Sequence, residues 1–233
     1  MGLIAAEAMA QLARLRRPGA GLLLDLDGTL VDSEPVHQDA YRQYFSGRGW
    51  DVDDQVIRLF SGRRAAEVFA TVHGPWRDED PDALTEGVLD VLRGTAFRPD
   101  PVAGATQLIS ACAAAGLPFA VVTSAWRAWA ISALDLLGVG DQGIRMVTAE
   151  DCVSGKPDPE PFRRGAHLLG LRPGDLMAAE DAPAGIASAG AAGLGHVIGI
   201  TTTQPAEVLL AAGAHATAPN LVALAGVVGE LVT

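Results

Sequence analysis

The sequence predicts an α/β fold in which a parallel sheet carries helices on both faces and an all-helical segment is inserted near its start. The chain has 233 residues, 49% of them hydrophobic, which is enough to bury a full core. From residue 99 onward, short apolar runs alternate with alanine-rich helical patterns, as in repeated βα units. Between residues 33 and 98, apolar side chains recur at helical spacing without strand-like alternation.

The elements of the sheet domain follow in chain order. Residues 1–20 predict a short helical lead-in, since their arginines come late and no long apolar run follows a charged start. Strands are expected where apolar runs meet turn residues, at 22–26, 119–123, 145–148, 176–180, 196–200 and 215–217. Helices are expected between and after them, at 102–115, 125–137, 159–169, 184–192, 205–212 and 221–231.

The helical segment predicts a second domain. It begins just after the first strand and ends at Arg98-Pro99-Asp100-Pro101, where prolines stop a helix and stiffen the connection, so a hinge is expected there. We therefore expect a catalytic core formed by residues 1–32 and 99–233, and a separate helical domain formed by residues 33–98.

Charge and composition narrow the possible partners. The net charge of −11 disfavours binding to nucleic acid or to an anionic membrane, because both require a surplus of Lys and Arg. No window of 18 uncharged apolar residues predicts a membrane span. Cys112 and Cys152 show neither a disulfide framework nor metal-ligand spacing, which fits the reducing cytoplasm.

Two carboxylates stand directly behind the first apolar run, Gly21-Leu22-Leu23-Leu24. Asp25 and Asp27 are two residues apart, so both side chains should face one pocket beyond the strand end. Asp25 is the candidate nucleophile for phosphoryl transfer, and Asp27 the candidate general acid and base. Two carboxylates would repel a phosphate, so a divalent cation is needed. Oxygen ligands of this kind suit Mg²⁺.

Other predicted strand ends and loops supply further polar groups. Asp181 should reach the same cation, with Glu180 in support, because both stand at the end of an apolar run. Thr123 offers a hydroxyl to a phosphate oxygen, and the Ser124 backbone amide can help. Lys156, the single lysine of the chain, lies in a Gly/Pro loop and provides a compact positive charge.

Together these segments resemble the motifs of the haloacid dehalogenase superfamily, in order and at the expected spacing over nearly the whole chain. The segments are Asp25-Leu26-Asp27-Gly28-Thr29-Leu30-Val31-Asp32-Ser33-Glu34-Pro35, Thr123-Ser124, Gly155-Lys156-Pro157-Asp158-Pro159 and Glu180-Asp181-Ala182-Pro183-Ala184-Gly185-Ile186. The resemblance implies a Rossmann-like core with a helical cap inserted after the first strand. It also implies Mg²⁺ held by Asp25, the Asp27 carbonyl and Asp181, and an aspartyl-phosphate on Asp25.

Three segments are most similar to the branch of small polyol- and hexose-phosphate phosphatases. They are Ser61-Gly62-Arg63-Arg64-Ala65, Val147-Thr148-Ala149-Glu150-Asp151 and Glu180-Asp181-Ala182-Pro183. The resemblance therefore implies a cytoplasmic phosphatase that hydrolyses a small phosphorylated metabolite, as a monomer or weak homo-oligomer. Arg63 and Arg64 are candidates for contacting substrate from the cap, although an arginine pair is also common as solvated surface.

Alternatives to this hypothesis remain open at the level of sequence. A sugar phosphomutase of the β-phosphoglucomutase type shares the core and resembles the chain at His37, but such mutases use a cap lysine that is absent here. The same absence disfavours phosphonate hydrolysis, and the presence of Asp27 disfavours metal-free dehalogenation. A catalytically idle binding module is disfavoured because all four motifs are intact.

Overall fold

The computed structural model describes residues 12–94 and 98–231 of the chain. Of the predicted helical lead-in, Ala13–Arg16 form a 3-10 turn, and residues 1–11 lie outside the described residues. None of the described helices combines the length and the apolar character needed to cross a bilayer.

Two sheets organise the described chain. The strands are β1 (Gly21–Leu24), β2 (Val31–Asp32), β3 (Asp100–Pro101), β4 (Phe119–Val122), β5 (Met146–Val147), β6 (Leu176–Glu180), β7 (His196–Ile200) and β8 (Ala216–Ala218). Six of them form a parallel sheet in the order β5-β4-β1-β6-β7-β8. The other two, β2 and β3, pair as a short antiparallel ribbon.

Helices fill the connections between the strands. They are α1 (Glu34–Gly47), α2 (Asp54–Ile57), α3 (Ala65–Thr71), α4 (Pro81–Gly94), α5 (Ala105–Ala115), α6 (Arg127–Leu136), α7 (Glu160–Leu169), α8 (Pro183–Ala191), α9 (Ala206–Ala211) and α10 (Val222–Gly229). Helices α1 to α4 lie between β2 and β3 in the chain, and we call residues 34–94 the helical insertion. Helices α5 to α10 connect or follow the strands of the parallel sheet.

The central strand β1 explains why the sheet has helices on both faces. All four of its residues are buried. Leu22 and Leu24 belong to one apolar cluster, with Leu108 of α5, whereas Leu23 belongs to another, with Phe162 of α7. Successive strand side chains point to opposite faces, so an apolar strand of this kind needs a helical layer on each side.

The helical insertion has an apolar cluster of its own, separate from the two beside the sheet. Phe45 of α1 stacks on Trp76 with ring centroids 5.1 Å apart and an angle of 18° between the rings. Phe60 and Phe69 meet edge to face with centroids 4.9 Å apart. Aromatic rings bury large areas and favour these offset and edge arrangements, so they stabilise a small helical unit effectively.

The predicted α/β fold with its parallel sheet is confirmed, with shifted boundaries. Strand β1 ends at Leu24 rather than at residue 26, and α5 begins at Ala105 rather than at residue 102. The β2–β3 ribbon was not predicted, and β3 lies in the segment expected to be a proline hinge. Two-residue strands are too short to show alternation in sequence, and proline is tolerated at a sheet edge.

Candidate functional site

The carboxyl ends of three adjacent strands gather the predicted site residues. Asp25 directly follows β1, and Thr123 directly follows β4. Glu180 is the last residue of β6, and Asp181 comes next. Because β4 and β6 both pair with β1, these four positions meet at one edge of the sheet. In open α/β sheets this edge is where ligands bind.

Asp25 lies almost completely buried at the centre of this edge. Its Oδ1 accepts a hydrogen bond from Lys156 Nζ at 2.5 Å. Its Oδ2 is also buried and has no donor among the described residues. Burial raises the pKa of Asp25 to about 8, and the nearby Glu180 carboxylate adds to this while the Lys156 ammonium opposes it. In the absence of a metal ion, the site therefore favours the protonated form of Asp25.

Lys156 reaches the site from the loop that precedes α7. Its side chain is fully buried and bridges Asp25 Oδ1 at 2.5 Å and Glu180 Oε1 at 2.6 Å. Burial alone would lower the pKa of Lys156, but the two carboxylates outweigh it and hold the pKa above its ordinary value. The second oxygen of Glu180 accepts the backbone N–H of Ala182 at 2.8 Å. Lys156 is therefore held as a cation in fixed orientation.

Asp181 is buried beside this group and is oriented by hydroxyl groups. Thr203 donates to its Oδ2 at 2.5 Å, and Thr29 donates to its Oδ1 at 3.4 Å. Burial, reinforced by Glu180 and Asp25, raises the pKa of Asp181 well above its ordinary value. Gly28 lies so close that a Cβ on it would stand 2.1 Å from Asp181 Oδ2, and its φ of +81° also favours glycine.

The three buried carboxylates fit a divalent cation. Asp25, Glu180 and Asp181 each offer one oxygen, and these oxygens all lie within 4.8 Å of one another. Lys156 pairs with two of them, Asp25 and Glu180, and Asp25 Oδ2 is buried without a donor among the described residues. Oxygen donors of this kind, few in number, match Mg²⁺, which keeps several waters and takes the remaining ligands from carboxylates and phosphate.

Asp27 lies next to this cluster and lines a cavity of about 900 Å³. Its Oδ1 accepts two hydrogen bonds, from Ser33 Oγ at 2.6 Å and from Trp129 Nε1 at 2.8 Å. The Trp129 ring in turn meets the His37 ring edge to face, with centroids 5.9 Å apart. The carboxylate is thus held in one orientation at the cavity wall.

The cavity lies between the sheet edge and the helical insertion. The sheet domain contributes to its wall Asp25, Asp27, Thr123, Ser124, Trp126 and Trp129, and the insertion contributes Glu34, His37, Tyr41, Arg63 and Leu89 among others. Thr123 Oγ1 accepts the Ala125 N–H at 3.0 Å, and Ser124 Oγ donates to the Gly62 carbonyl at 2.9 Å. Of the predicted phosphate-binding residues, Thr123, Ser124 and Arg63 therefore line the same cavity as Asp25, whereas Lys156 is buried behind it against Asp25 and Glu180.

The two neighbouring arginines of the insertion have different surroundings. Arg64 donates to the carbonyls of Ala149 at 2.7 Å, Cys152 at 2.9 Å and Val153 at 3.1 Å, so it ties the insertion to the sheet domain. Both arginines line the cavity, and each has a buried Nε without a hydrogen-bond partner in the described part of the chain. The terminal nitrogens of Arg64 are taken by these carbonyls, whereas Arg63 makes no side-chain hydrogen bond within the described residues. Arg63 is therefore the better placed of the pair to meet a ligand.

Several contacts of the site were not predicted from sequence. Trp129 lies outside the motifs identified in the sequence, yet its indole N–H donates to Asp27. Ser33 and Thr203 were not singled out, yet they contact Asp27 and Asp181. The position of Thr203, shortly after an apolar strand that ends at Ile200, is a signal that could have identified it.

Comparison with known proteins gives consistent matches. The family model described as haloacid dehalogenase-like hydrolase matches residues 20–193. Validoxylamine A 7'-phosphate phosphatase from Streptomyces hygroscopicus subsp. limoneus is 37% identical over 191 residues, which cover 80% of this chain and 88% of that protein. Hexitol phosphatase A from Escherichia coli (strain K12) is 35% identical over 182 residues, which cover 77% and 82%. The structure of a putative beta-phosphoglucomutase from Bacteroides vulgatus shares the fold, with a TM-score of 0.79 at 24% identity, and covers 98% of this chain and 100% of that one.

Proposed function

The chain belongs to the haloacid dehalogenase-like hydrolase family, and we propose that it is a magnesium-dependent phosphatase that hydrolyses a small sugar or polyol phosphate monoester. Its phosphatase class rests on the family and on the phosphatases among its relatives. The cation, the substrate class and the roles of individual residues are the proposed part. A cytoplasmic location and a monomeric or weakly associating state belong to the same proposal.

One observation carries the proposal. Three buried carboxylates, Asp25, Glu180 and Asp181, place oxygens within 4.8 Å of one another, and the Lys156 ammonium pairs with only two of them, Asp25 and Glu180. A phosphate brought to these oxygens would meet a repulsion of about 4 kcal/mol from each unit charge at 4 Å, for an effective dielectric constant of 20. Asp25, the Asp27 carbonyl and Asp181 would hold Mg²⁺, which supplies the positive charge that offsets this repulsion.

The chemistry follows from the positions of Asp25 and Asp27. A carboxylate oxygen of Asp25 attacks phosphorus, the bond from phosphorus to the ester oxygen breaks, and Asp27 gives its proton to the departing oxygen. The alcohol leaves, and an aspartyl-phosphate remains on Asp25. Asp27, now a carboxylate, takes a proton from water as the water oxygen attacks phosphorus. Inorganic phosphate is released, and Asp25 is restored.

The helical insertion supplies the second part of the proposal. We assign residues 33–98 as a cap domain over a core formed by residues 1–32 and 99–233. The cap would exclude bulk water from the first step and admit one water for the second. Thr123 and the Ser124 amide would contact phosphate oxygens, with Lys156 close by on Asp25. Arg63, which lines the cavity and makes no side-chain hydrogen bond within the described residues, would contact the phosphorylated metabolite from the cap side.

A screen of phosphate monoesters tests the proposal directly. Wild-type protein with Mg²⁺ should release inorganic phosphate from para-nitrophenyl phosphate and from sugar or polyol phosphates, and EDTA should stop the release. Asp25→Asn should reduce turnover at least about a thousandfold while leaving the far-ultraviolet circular dichroism unchanged. Asp51→Asn, a change of an exposed aspartate, is the matched control and should keep full activity. An active Asp25→Asn enzyme would refute the assigned nucleophile.

The mutase alternative gives a different product in the same screen. A phosphomutase would convert a hexose 1-phosphate to the 6-phosphate, whereas a phosphatase would release inorganic phosphate. Lys156 is the one lysine of the chain, and it is buried against Asp25 and Glu180 rather than on the cap. We therefore expect inorganic phosphate.

A further inference from the structure

The hydrogen bonds of Asp27 are distributed unevenly between its two oxygens. Oδ1 accepts both Ser33 Oγ at 2.6 Å and Trp129 Nε1 at 2.8 Å. Oδ2 receives no hydrogen bond within residues 12–94 and 98–231. An oxygen that already accepts two donors is a poor place for a proton, so the arrangement leaves Oδ2 as the oxygen that can carry one.

Trp129 is suited to fixing this arrangement. An indole N–H can only donate, so the contact persists only while an oxygen of Asp27 accepts it. The indole is half-buried on α6, the helix that follows β4 and Thr123, and His37 packs against its ring at 5.9 Å. A rigid ring with few free torsions holds its partner at low entropic cost. The Ser33 hydroxyl, by contrast, can rotate and can also accept.

We infer that Trp129 is a positioning residue for the general acid: its indole N–H holds Asp27 Oδ1 so that the proton resides on Oδ2 and is delivered to the departing ester oxygen. The inference rests on the proposed function. In the step concerned, the phosphorus–oxygen bond breaks as the Asp27 Oδ2–H proton moves to the ester oxygen. The product is a neutral alcohol and an Asp27 carboxylate that still accepts from Trp129.

The inference makes the effect of Trp129 depend on the leaving group. An alkoxide needs a proton as it departs, whereas para-nitrophenolate is stable without one. Trp129→Phe keeps an aromatic ring but removes the N–H. On the alkyl phosphate that the wild-type enzyme hydrolyses fastest, kcat should fall about tenfold or more while KM stays within about twofold. On para-nitrophenyl phosphate, the rate of the first step, measured as the initial burst of para-nitrophenolate, should stay within about twofold, which also shows that the variant is folded.

Two comparisons complete the test. Trp126→Phe changes a tryptophan of the same cavity wall, whose indole N–H makes no hydrogen bond within the described residues, and should keep the wild-type ratio of the two rates. In an Asp27→Asn background, Trp129→Phe should cause no further loss on the alkyl ester, because the proton donor is already absent.

Three results would each overturn the inference. Trp129→Phe could lower the rates on both esters equally, raise KM without lowering kcat, or cause an additive loss of rate in the Asp27→Asn background. A wild-type protein that hydrolyses no phosphate ester would instead overturn the proposed function on which it rests.

Discussion

Replacing Lys156 with methionine removes the positive charge from a buried cluster that contains three carboxylates. The Lys156 side chain is fully buried and forms two ion pairs, with Asp25 at 2.5 Å and Glu180 at 2.6 Å. Methionine fills a similar volume with apolar atoms, so the change tests charge rather than packing. Without the ammonium, neither Asp25 nor Glu180 has an ion-pair partner among residues 12–94 and 98–231.

The expected loss of stability follows from these contacts. Hydrogen bonds to charged groups contribute about 1.5–3 kcal/mol each, so two of them give about 3–6 kcal/mol. Removing one partner of a buried ion pair typically costs about 3–5 kcal/mol. Because burial already raises the pKa of Asp25 and of Asp181, protonation can relieve part of the cost as pH falls. The loss should therefore be largest near pH 8 and smaller near pH 5.

Urea unfolding at pH 8 and pH 5, with EDTA present, measures this loss through tryptophan fluorescence. Arg172→Met is the control, because Arg172 forms an exposed ion pair with Asp175, and it should cost no more than about 1 kcal/mol. If the free energy of unfolding of Lys156→Met at pH 8 lies within about 1 kcal/mol of the wild-type value, the cluster does not depend on the ammonium and the electrostatic reasoning fails.

Two further predictions concern a glycine and a histidine. Gly28→Ala should weaken Mg²⁺ binding by about tenfold or more in calorimetry, because its Cβ would stand 2.1 Å from Asp181 Oδ2. Gly19→Ala has a similar positive φ and free space around the Cβ, so it should leave Mg²⁺ affinity unchanged, and equal effects would contradict the steric argument. Burial lowers the pKa of His196 from 6.5 to about 4, so only the unfolded chain takes up this proton as pH falls through 6.5. The free energy of unfolding should then drop by up to about 3 kcal/mol between pH 6.5 and pH 4. His196→Asn should remove that part of the drop, and an unchanged pH dependence would contradict the assignment.

The central part of the site could be predicted because it depends on local patterns. Asp25, Thr123 and Asp181 each follow an apolar strand, and parallel strands place such residues at the same edge of a sheet. The apolar strands and the Gly/Pro loop around Lys156 can be recognised in the sequence without knowing which strands pair. The order of the strands then brought these separate segments within bonding distance.

The remaining contacts depend on three-dimensional placement that no local pattern encodes. Trp129 on α6 donates to Asp27, although the two residues are 102 positions apart in sequence. Arg64 and Arg63 are neighbours of the same type, so composition cannot tell which one ties the insertion to the sheet domain. That distinction comes from the carbonyls of Ala149, Cys152 and Val153, to which Arg64 donates.

The contacts around Arg64 have a mechanical consequence for the centre of the site. Arg64 clasps the carbonyls of residues 149, 152 and 153, and Glu67 of α3 accepts the backbone N–H of Gly155 at 2.6 Å. Gly155 is the residue before Lys156. The helical insertion is therefore hydrogen-bonded to the loop that carries Lys156. Movement of the insertion away from the cavity must either break these hydrogen bonds or displace Lys156. Opening of the cavity and displacement of the Lys156 ammonium from Asp25 are therefore mechanically coupled.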